Sequence, residues 1–426
     1  MSDLHVKYLL IGGGVAASEA AKAIREIDRE GDLLMVAQEI NRPYFRPPLS
    51  KQFLRSPGNR ETLFTQRAEW FNDNRVQLRT GRRASHLDTT RNSVTLDNGE
   101  GVSFDRLLIA TGGTARPLDI PGSHLPNLFY LRTLEDAEHL QLAMAKAKAG
   151  GQAHERGRGR AAIIGGGLLG VELAGTLTEA GLHVDLAFPD EHPWRRIAGE
   201  TAGRSISRIL EARGVSVHRN DRAFRLEGDG RVQRLALASG ETFPCDFAVA
   251  AVGIAIHKDL LRGTPIAAEQ AILADSSCRT SVRDVFAAGD CAALFDPLFG
   301  KHRMLHHCDS AAKTGRIAGI NMAGGAARFE SASYFDSEFL GLKVRVWGEA
   351  RAVDRRIFRG SAGAENPGFI EFGVAADGRL AQIIALQSPE PDGLFADAVE
   401  RRLHINGNEE QLKDPSVPLE SLLKPG

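Results

Sequence analysis

Cysteine is scarce in this chain of 426 residues, which contains only Cys245, Cys278, Cys291 and Cys308. No two of them are spaced as C-x-x-C, so the sequence indicates neither a zinc knuckle nor a thioredoxin-like redox pair. We interpret the four cysteines as small buried hydrophobic residues. This excludes chemistry that depends on a close pair of thiols.

An excess of one charge and long apolar runs are also missing. The chain has 53 Lys and Arg residues against 54 Asp and Glu, so no global field attracts nucleic acid. The most basic segment, His154 to Arg160, is interpreted as a solvated glycine-rich loop. No stretch approaches the ~18 apolar residues of a membrane helix, and the first strand begins by Val6, which leaves no room for a leader peptide. We expect a soluble cytoplasmic protein with no nucleic-acid or membrane partner.

The stretch from Val6 to Ala17, VKYLLIGGGVAA, combines a predicted strand with a glycine turn. Gly12, Gly14 and Ala17 fit the pattern G-x-G-x-x-G/A, and a helical pattern follows from Ser18 to Ile27. The first glycine permits a sharp turn, the second lets a pyrophosphate approach the backbone, and the small third residue lets the helix pack on the strand. Phosphates are then stabilised at the helix N-terminus. The pattern predicts a dinucleotide site.

A second copy of this pattern follows roughly 150 residues later, about one domain length. The segment from Ala161 to Glu172 reads AAIIGGGLLGVE, and Gly165, Gly167 and Gly170 occupy all three glycine positions. One glycine cluster before a helix is often only a tight turn. Two complete patterns at domain spacing predict two dinucleotide sites, and therefore an electron path from one nucleotide to another.

The residue after the second strand of a dinucleotide fold is usually an acid that binds the ribose hydroxyls. In the first unit this strand is predicted from Leu33 to Ala37 and is followed by Gln38 and Glu39. Two alternatives remain open here: either Gln38 binds the ribose as an amide, or Glu39 reaches it.

In the second unit the corresponding strand, His183 to Phe188, is closed by Pro189 and Asp190. A carboxylate at this place accepts hydrogen bonds from a ribose 2′-OH and repels a 2′-phosphate. Asp190 therefore favours NADH over NADPH. Arg195 and Arg196 follow closely and weaken that preference.

Two further segments carry candidate cofactor contacts. The segment from Asn41 to Lys51, NRPYFRPPLSK, is predicted to be a stiff irregular loop that positions Arg46 and Lys51. The buried strand in DRLLIATGG ends just before Thr111 and Gly112. Cofactors in open α/β sheets lie past such strand ends.

The second half of the chain contains more strand ends of this kind. Another buried strand, from Asp246 to Gly253, is expected to return the chain to its first domain. In VFAAGDC, Gly289 permits close approach and Asp290 projects from a strand tip, where a carboxylate can bind a polyol such as a ribityl chain. The histidines near residues 302–307 lack partners with metal-ligand spacing, so we predict no metal site.

Together these segments resemble the two-dinucleotide flavoproteins of the ferredoxin-reductase type, within which the chain is most similar to the apoptosis-inducing-factor branch. The matching segments occur in the family order from residue 6 to about 350, and RPPLSK and the block HHCDSAAKTGRIAGINMAG are the specific ones. The other matching segments are LLIGGGVAA, PYFRPPLSK, LLIATGGTARP, IIGGGLLGVELA, LAFPDE, VAAVG, VFAAGDCA and FDSEFLGLKV. The disulfide-dependent relatives are excluded by the missing cysteine pair.

The resemblance implies an α/β fold with two Rossmann-like, three-layer dinucleotide-binding domains and a C-terminal α+β domain. The implied domains are 1–121 (first segment of the FAD domain), 122–245 (NAD domain), 246–328 (second segment of the FAD domain) and 329–426 (C-terminal interface domain).

The implied cofactors are FAD and NAD(H), and the implied catalytic residues are Lys51, Glu172 and His307. Lys51 would lie near flavin N5 and pair with Glu172, while His307 would lie against the flavin. Phe335 stands where the family often has a tryptophan that faces the nicotinamide, and Leu168 stands where apoptosis-inducing factor has an aromatic residue. The full set of implied cofactor contacts is Gly12, Gly14, Ala17, Gln38, Glu39, Arg46, Lys51, Thr111, Gly112, Gly165, Gly167, Leu168, Gly170, Glu172, Asp190, Gly253, Gly289, Asp290, His307 and Phe335.

The implied activity is that of an NADH-dependent FAD oxidoreductase. Hydride passes from NADH to FAD, and electrons continue to a ferredoxin, another small redox protein or a quinone. The alternative is a slow redox sensor whose charge-transfer complex with NADH controls oligomerisation and partner binding. A homodimer is left open.

Overall fold

A computed structural model describes residues 4–56, 58, 60–150, 158–405 and 407–424. Residues 154–157 of the predicted basic loop lie outside this part of the chain. The strands in the first half are β1 Leu4–Ile11, β2 Leu33–Val36, β3 Val76–Arg79, β4 Ala84–Asp88, β5 Ser93–Leu96, β6 Gly101–Ile109, β7 Thr114–Ala115, β8 Leu128–Phe129, β9 Arg160–Ile164, β10 His183–Ala187 and β11 Val215–His218.

The remaining strands are β12 Ala223–Glu227, β13 Arg234–Leu237, β14 Thr242–Pro244, β15 Phe247–Ala250, β16 Ile254–Ala255, β17 Ile272–Ala274, β18 Val285–Ala287, β19 Ala292–Asp296, β20 Lys301–Met304, β21 Tyr334–Phe339, β22 Leu342–Gly348, β23 Arg355–Ser361, β24 Gly368–Val374 and β25 Leu380–Leu386. The helices are α1 Val15–Ile27, α2 Gln52–Arg55, α3 Ala68–Asp73, α4 Leu134–Gly150, α5 Leu168–Glu179, α6 Glu200–Ala212, α7 Cys308–Met322, α8 Asp392–Glu400, α9 Glu409–Lys413 and α10 Leu419–Leu423.

The chain forms two compact units, each built from separate stretches of sequence. The first unit comprises Met1–Phe45, Asn59–Thr114 and Ala255–Phe335. The second unit comprises Arg46–Gly58, Ala115–Ile254 and Asp336–Gly426. The mixed α/β class predicted from the sequence is confirmed, whereas the four domain limits remain a prediction.

The first unit is organised around a sheet with the strand order β3-β2-β1-β6-β5-β4, and β18 also pairs with β6. The pairs β1/β2, β1/β6 and β6/β18 are parallel. Strands β2 and β18 are fully buried apolar runs, as expected where both faces of a parallel sheet are covered. The predicted hairpin around Gly99 is present, since β5 and β6 pair antiparallel.

Helices α1 and α7 pack closely in the first unit because glycines on α7 face α1. A Cβ atom on Gly315 would lie 2.1 Å from the carbonyl oxygen of Ala16, and one on Gly319 would lie 2.4 Å from that of Ala20. Any side chain at either glycine would separate the helices. The close packing brings the first turn of α1 beside α7.

The second unit contains a parallel sheet with the strand order β11-β10-β9-β15-β8. The strand that was expected to return the chain to the first domain is β15, which pairs with β9 in this sheet. This strand therefore belongs to the second unit. The side chains of β15 are all buried. An apolar run of this kind is equally compatible with the sheet that contains β1 and with the sheet that contains β9.

The C-terminal part of the second unit is a sheet with the strand order β21-β22-β25-β24-β23. Its pairs β22/β25, β25/β24 and β24/β23 are antiparallel, and the turn between β24 and β25 has Gly378 at a φ of 79°. The predicted hairpin at Asp377-Gly378 is thus present. Helix α8 packs on this sheet through Phe395, whose ring lies 5.1 Å from that of Trp347.

A buried carboxylate on β10 is surrounded by two histidines and an arginine. Asp185 lies 3.1 Å from Nε2 of His218, 3.5 Å from Nε2 of His183 and 3.4 Å from Nη2 of Arg160. The hydrogen bond to Asp185 raises the pKa of His218 above its usual value, and this outweighs the opposing effect of burial. A histidine whose pKa is raised on folding stabilises the folded state while it is protonated.

We expect His218→Gln to remove part of the pH dependence of stability. The contribution of His218 is complete below the unfolded pKa of about 6.5 and is lost as pH rises through the higher folded pKa. The parent should therefore lose stability as pH rises from about 6 to 8, and the variant should lose less. Urea unfolding at several pH values measures this, with His257→Gln as the control. Identical slopes in parent and His218→Gln would contradict the assignment.

Candidate functional site

The first glycine turn has the shape of a phosphate cradle. Gly12 has a φ of +143°, and a Cβ atom there would lie 2.1 Å from the carbonyl oxygen of Ala110, so only glycine fits. A Cβ atom on Gly14 would meet nothing within 4 Å. Ala17, in the first turn of α1, is fully buried. The middle glycine thus opens to free space at the helix N-terminus, where a pyrophosphate fits.

The turn that contains Asp290 lies against the start of α1. A Cβ atom on Gly289 would lie 3.1 Å from Cβ of Ala16, and the backbone N–H of Gly289 donates to Oγ1 of Thr314 on α7. Thr111 and Gly112 follow β6, which pairs with β1, so they lie at the same sheet edge as the glycine turn. These predicted contacts are therefore neighbours within the first unit.

Both candidates for the first ribose contact lie at this edge. A Cβ atom on Gly13 would lie 2.5 Å from Cβ of Ala37, so the end of β2 touches the glycine turn. Gln38 is exposed, whereas Glu39 is partly buried and accepts a hydrogen bond of 2.5 Å from the hydroxyl of Tyr44. The Tyr44 hydroxyl therefore orients the Glu39 carboxylate.

His307 stacks on Phe335 in the first unit. The ring centroids are 4.0 Å apart and the ring planes differ by 14°. His307 is the N-cap residue of α7, but its side chain makes no capping hydrogen bond. Burial lowers the pKa of His307 to about 4, while the nearby Asp290 opposes that shift. At neutral pH the imidazole is uncharged, so it offers one N–H donor and one acceptor.

The second glycine turn repeats the geometry of the first. Gly165 has a φ of +120°, and a Cβ atom there would lie 2.4 Å from the carbonyl oxygen of Ala251. A Cβ atom on Gly170 would lie 1.8 Å from the carbonyl oxygen of Gly165, so the third glycine lets α5 approach the strand. Gly167 again opens to free space. A second pyrophosphate fits here.

The other predicted contacts of the second unit lie around this turn. Asp190 is exposed three residues after β10, and Gly253 has a φ of +102° just beyond β15. Both strands flank β9, which leads into the turn. Leu168 is the first residue of α5 and is partly buried.

Lys51 and Glu172 form a buried ion pair within the second unit. Nζ of Lys51 lies 2.7 Å from Oε1 of Glu172, and each side chain is about one-tenth exposed. The same ammonium donates to the carbonyl oxygen of Pro47 at 3.3 Å. The segment before Lys51 is less irregular than predicted, because a 3-10 turn at Pro47–Ser50 and the helix α2 enclose this residue. Prolines at the start of that turn preset its backbone.

Three hydroxyl side chains that the sequence did not single out form hydrogen bonds around this ion pair. Ser50 Oγ donates to Oε2 of Glu172 at 2.5 Å, and Ser337 Oγ donates to Oε1 at 2.7 Å. Thr176 lies one helical turn after Glu172 and donates to the backbone oxygen of Ser50 at 2.7 Å. The i, i+4 spacing on α5 was the only sequence signal for these contacts.

Arg46, the other predicted cation of this segment, donates through Nη1 to the backbone oxygen of Arg132 at 2.5 Å. It is partly buried and belongs to the same unit as Lys51. The proline-containing segment therefore presents both predicted cations from one unit.

None of the four cysteines, all of which lie in the described part of the chain, forms a disulfide bond. Cys245, Cys278 and Cys291 are buried, whereas Cys308 is partly exposed, which corrects the interpretation of all four as buried. Burial raises the pKa of the Cys245 thiol to about 12, so it stays protonated and inert. Among the described residues, no group of three or more His, Cys, Asp or Glu side chains is placed to hold a metal ion. No described helix is both long and apolar enough to cross a membrane.

The matching family model and the similar proteins cover most of the length of the chain. The family model described as "Pyridine nucleotide-disulphide oxidoreductase" matches residues 6–315. The biphenyl dioxygenase system ferredoxin–NAD(+) reductase component of Paraburkholderia xenovorans (strain LB400) is 30% identical over 416 residues, covering 97% of this chain and 98% of that protein. Putidaredoxin reductase CamA of Pseudomonas putida is 26% identical over 421 residues, covering 97% of this chain and 96% of that protein.

Solved structures agree with these relatives. The ferredoxin reductase for the CYP199A2 system from Rhodopseudomonas palustris superimposes with a TM-score of 0.90 at 26% identity, covering 98% of this chain and 100% of that chain. A chain of the covalent putidaredoxin reductase–putidaredoxin complex also superimposes with a TM-score of 0.90 at 26% identity, covering 99% and 98%. The closer likeness to the apoptosis-inducing-factor branch stays a prediction.

Proposed function

Because the chain belongs to the pyridine nucleotide-disulphide oxidoreductase family, we propose that it is an NADH-dependent FAD oxidoreductase that passes electrons to a ferredoxin-type protein. The observation that carries this proposal is the pair of glycine turns, in which Gly14 and Gly167 each open to free space. Two such cradles in one chain suit a flavin dinucleotide and a nicotinamide dinucleotide. We also propose a cytoplasmic location, which the use of NADH supports.

The residues divide between the two cofactors. FAD would be held by the first turn, with Asp290 as the acceptor for its ribityl hydroxyls. NADH would be held by the second turn, with Asp190 as the acceptor for its ribose hydroxyls. When bound, the flavin supplies two-electron exchange with the nicotinamide and one-electron exchange with an acceptor.

Lys51 would supply positive charge near the redox end of the flavin, and Glu172 would orient it. The carboxylate is held from two sides by Ser50 and Ser337, so the ammonium has one preferred position. A fixed cation stabilises negative charge that develops nearby without reorganisation. His307, whose pKa lies well below neutrality, would contribute an uncharged imidazole ring stacked on Phe335.

The acceptor is proposed from the relatives. The similar proteins are named as ferredoxin reductases, and one similar structure is a complex with putidaredoxin. The cysteines of this chain form no disulfide and three of the four are buried, which argues against a thiol-based acceptor route. A small iron–sulfur protein that takes single electrons is therefore the proposed partner.

Anaerobic stopped-flow reduction tests this proposal. NADH should bleach the flavin at least about tenfold faster than NADPH at equal concentration, because the Asp190 carboxylate repels a 2′-phosphate. The reduced protein should then be reoxidised rapidly by a [2Fe–2S] ferredoxin. Equal rates with NADPH would show that Arg195 or Arg196 dominates. Slow bleaching with a persistent long-wavelength band, and no ferredoxin turnover, would instead support the redox sensor.

A further inference from the structure

The loop between β10 and α6, residues 188–199, carries Asp190 and is attached to the second glycine turn at two points. A Cβ atom on Gly166 would lie 2.7 Å from Cγ of Phe188, so this aromatic ring lies directly over the turn. The backbone N–H of Trp194 donates to the carbonyl oxygen of Gly166 at 2.8 Å. Trp194 adopts a φ of 59°, which is rare for a bulky residue and indicates an imposed backbone conformation.

The far end of this loop is held by the C-terminal sheet. Oε1 of Glu371 on β24 accepts the backbone N–H of Gly199 at 2.8 Å, and Nη2 of Arg356 on β23 donates to the backbone oxygen of Ile197 at 3.2 Å. Glu371 and Arg356 also pair with each other at 2.6 Å. Glu371 is 1% exposed, so its charge is satisfied by these partners rather than by water.

A third contact joins the middle of the loop to the same sheet. The ring of Trp194 meets that of Phe339 on β21 edge to face, with centroids 6.3 Å apart and planes at 73°. Trp194 is also buried. Packing is tight at the end of the loop, because a Cβ atom on Gly199 would lie 2.3 Å from Cδ of Arg356. The loop cannot shift without breaking buried contacts with the sheet.

These contacts connect the C-terminal sheet to the loop that carries Asp190. We propose that Glu371 and Arg356 are positioning residues for nucleotide selectivity, which hold loop 188–199 so that Asp190 meets the ribose hydroxyls of NADH. The inference rests on the proposed use of NADH. It assigns the adenosine end of the nucleotide to a loop whose geometry is set by a separate sheet of the same unit. The two residues act through Asp190 and need not touch the nucleotide.

The test removes the pair without leaving a lone buried charge. Arg356→Met/Glu371→Met keeps apolar volume, because replacing a whole buried ion pair is tolerated far better than removing one partner. The matched control is Arg355→Met/Glu409→Met, which removes the ion pair between the neighbouring residue of β23 and α9.

Binding of ADP-ribose to the oxidised holoprotein is measured by calorimetry, since this probe has the adenosine ribose but no nicotinamide. The Arg356→Met/Glu371→Met protein should have a Kd at least about fivefold higher than the parent, and the control should match the parent. The KM for NADH should rise by a similar factor, while the limiting rate of flavin reduction stays within about twofold of the parent. The ratio of the flavin-reduction rate with NADH to that with NADPH should fall.

The Asp190→Asn background shows whether the pair acts through Asp190. Adding Arg356→Met/Glu371→Met to Asp190→Asn should not reduce the preference for NADH over NADPH any further. In a double-mutant cycle, residues that act through the same interaction do not have additive effects. If the paired variant fails to fold, Phe339→Leu provides the second route. It loosens the contact with Trp194 and should raise the Kd for ADP-ribose in the same direction.

The outcomes separate the two proposals. A parent protein that binds neither ADP-ribose nor NADH would overturn the proposed function. A parent that binds both, with an unchanged Kd in Arg356→Met/Glu371→Met and in Phe339→Leu, would overturn the positioning role alone.

Discussion

Lys51→Met is expected to lower the free energy of unfolding by about 3 kcal/mol, because it leaves the buried Glu172 carboxylate without its cation. Ser50 and Ser337 still donate to that carboxylate, but hydrogen bonds from hydroxyls do not replace a full charge at 2.7 Å. Chemical denaturation of the holoprotein measures the loss. Arg55→Met is the control, since its ion pairs with Glu179 and Glu338 are about one-third exposed and should contribute less than about 1 kcal/mol.

The same variant should retain FAD but have a lower midpoint potential and slower reduction by NADH. Loss of a nearby positive charge disfavours the electron-rich reduced flavin, and a shift of about 30 mV corresponds to about 1.4 kcal/mol for a two-electron couple. Redox titration and anaerobic stopped flow measure the two quantities.

A paired variant distinguishes structural from electrostatic effects. Lys51→Met/Glu172→Gln has no uncompensated buried charge, so its stability should return towards that of the parent. Its midpoint potential should stay low because the ammonium is still missing. An unchanged potential in both variants would leave Lys51 and Glu172 as a structural ion pair only.

Gly14→Val is expected to fold normally and to lose FAD. The backbone of Gly14 is extended, with a φ of −96°, and its Cβ position is empty, so valine fits the protein itself. The added methyl groups occupy the space that the pyrophosphate requires, and bound FAD should fall by more than about tenfold. The ratio of flavin to protein after gel filtration, with the unfolding midpoint, measures both parts. Flavin released from the parent should be FAD rather than FMN.

Gly167→Val is the matched variant in the second unit. Its backbone is also extended, with a φ of −79°, and its Cβ position is equally open. It should retain FAD and raise the KM for NADH by about tenfold or more. Gly12→Val provides the contrast, because its φ of +143° and its contact with Ala110 should prevent folding altogether. FAD retained by Gly14→Val would refute the assignment of the first turn.

The pattern of strands and turns was readable from the sequence because it depends on short spacing. Each glycine turn needs a strand, three small residues and a helix within about a dozen residues, and both turns have the predicted geometry. The hairpins at Gly99 and Gly378 follow from local turn chemistry in the same way. Lys51 and Glu172 were paired only through family resemblance, since their own neighbourhoods do not point to each other.

The sequence alone determined the α/β class, the two nucleotide cradles and the lack of a cysteine pair, because each is encoded within a few neighbouring residues. The placement of β15 was decided by the tertiary structure, because the sequence of an apolar strand does not indicate which sheet the strand joins. Tertiary structure also decided the partners of Glu172, because Ser50 and Ser337 lie 122 and 165 residues from it along the chain. The hydrogen bond from the backbone N–H of Gly199 to Glu371, 172 residues later, has the same origin. Such contacts arise when separate elements pack, and a polar residue satisfied in this way looks in sequence like any other polar residue on a strand or a helix.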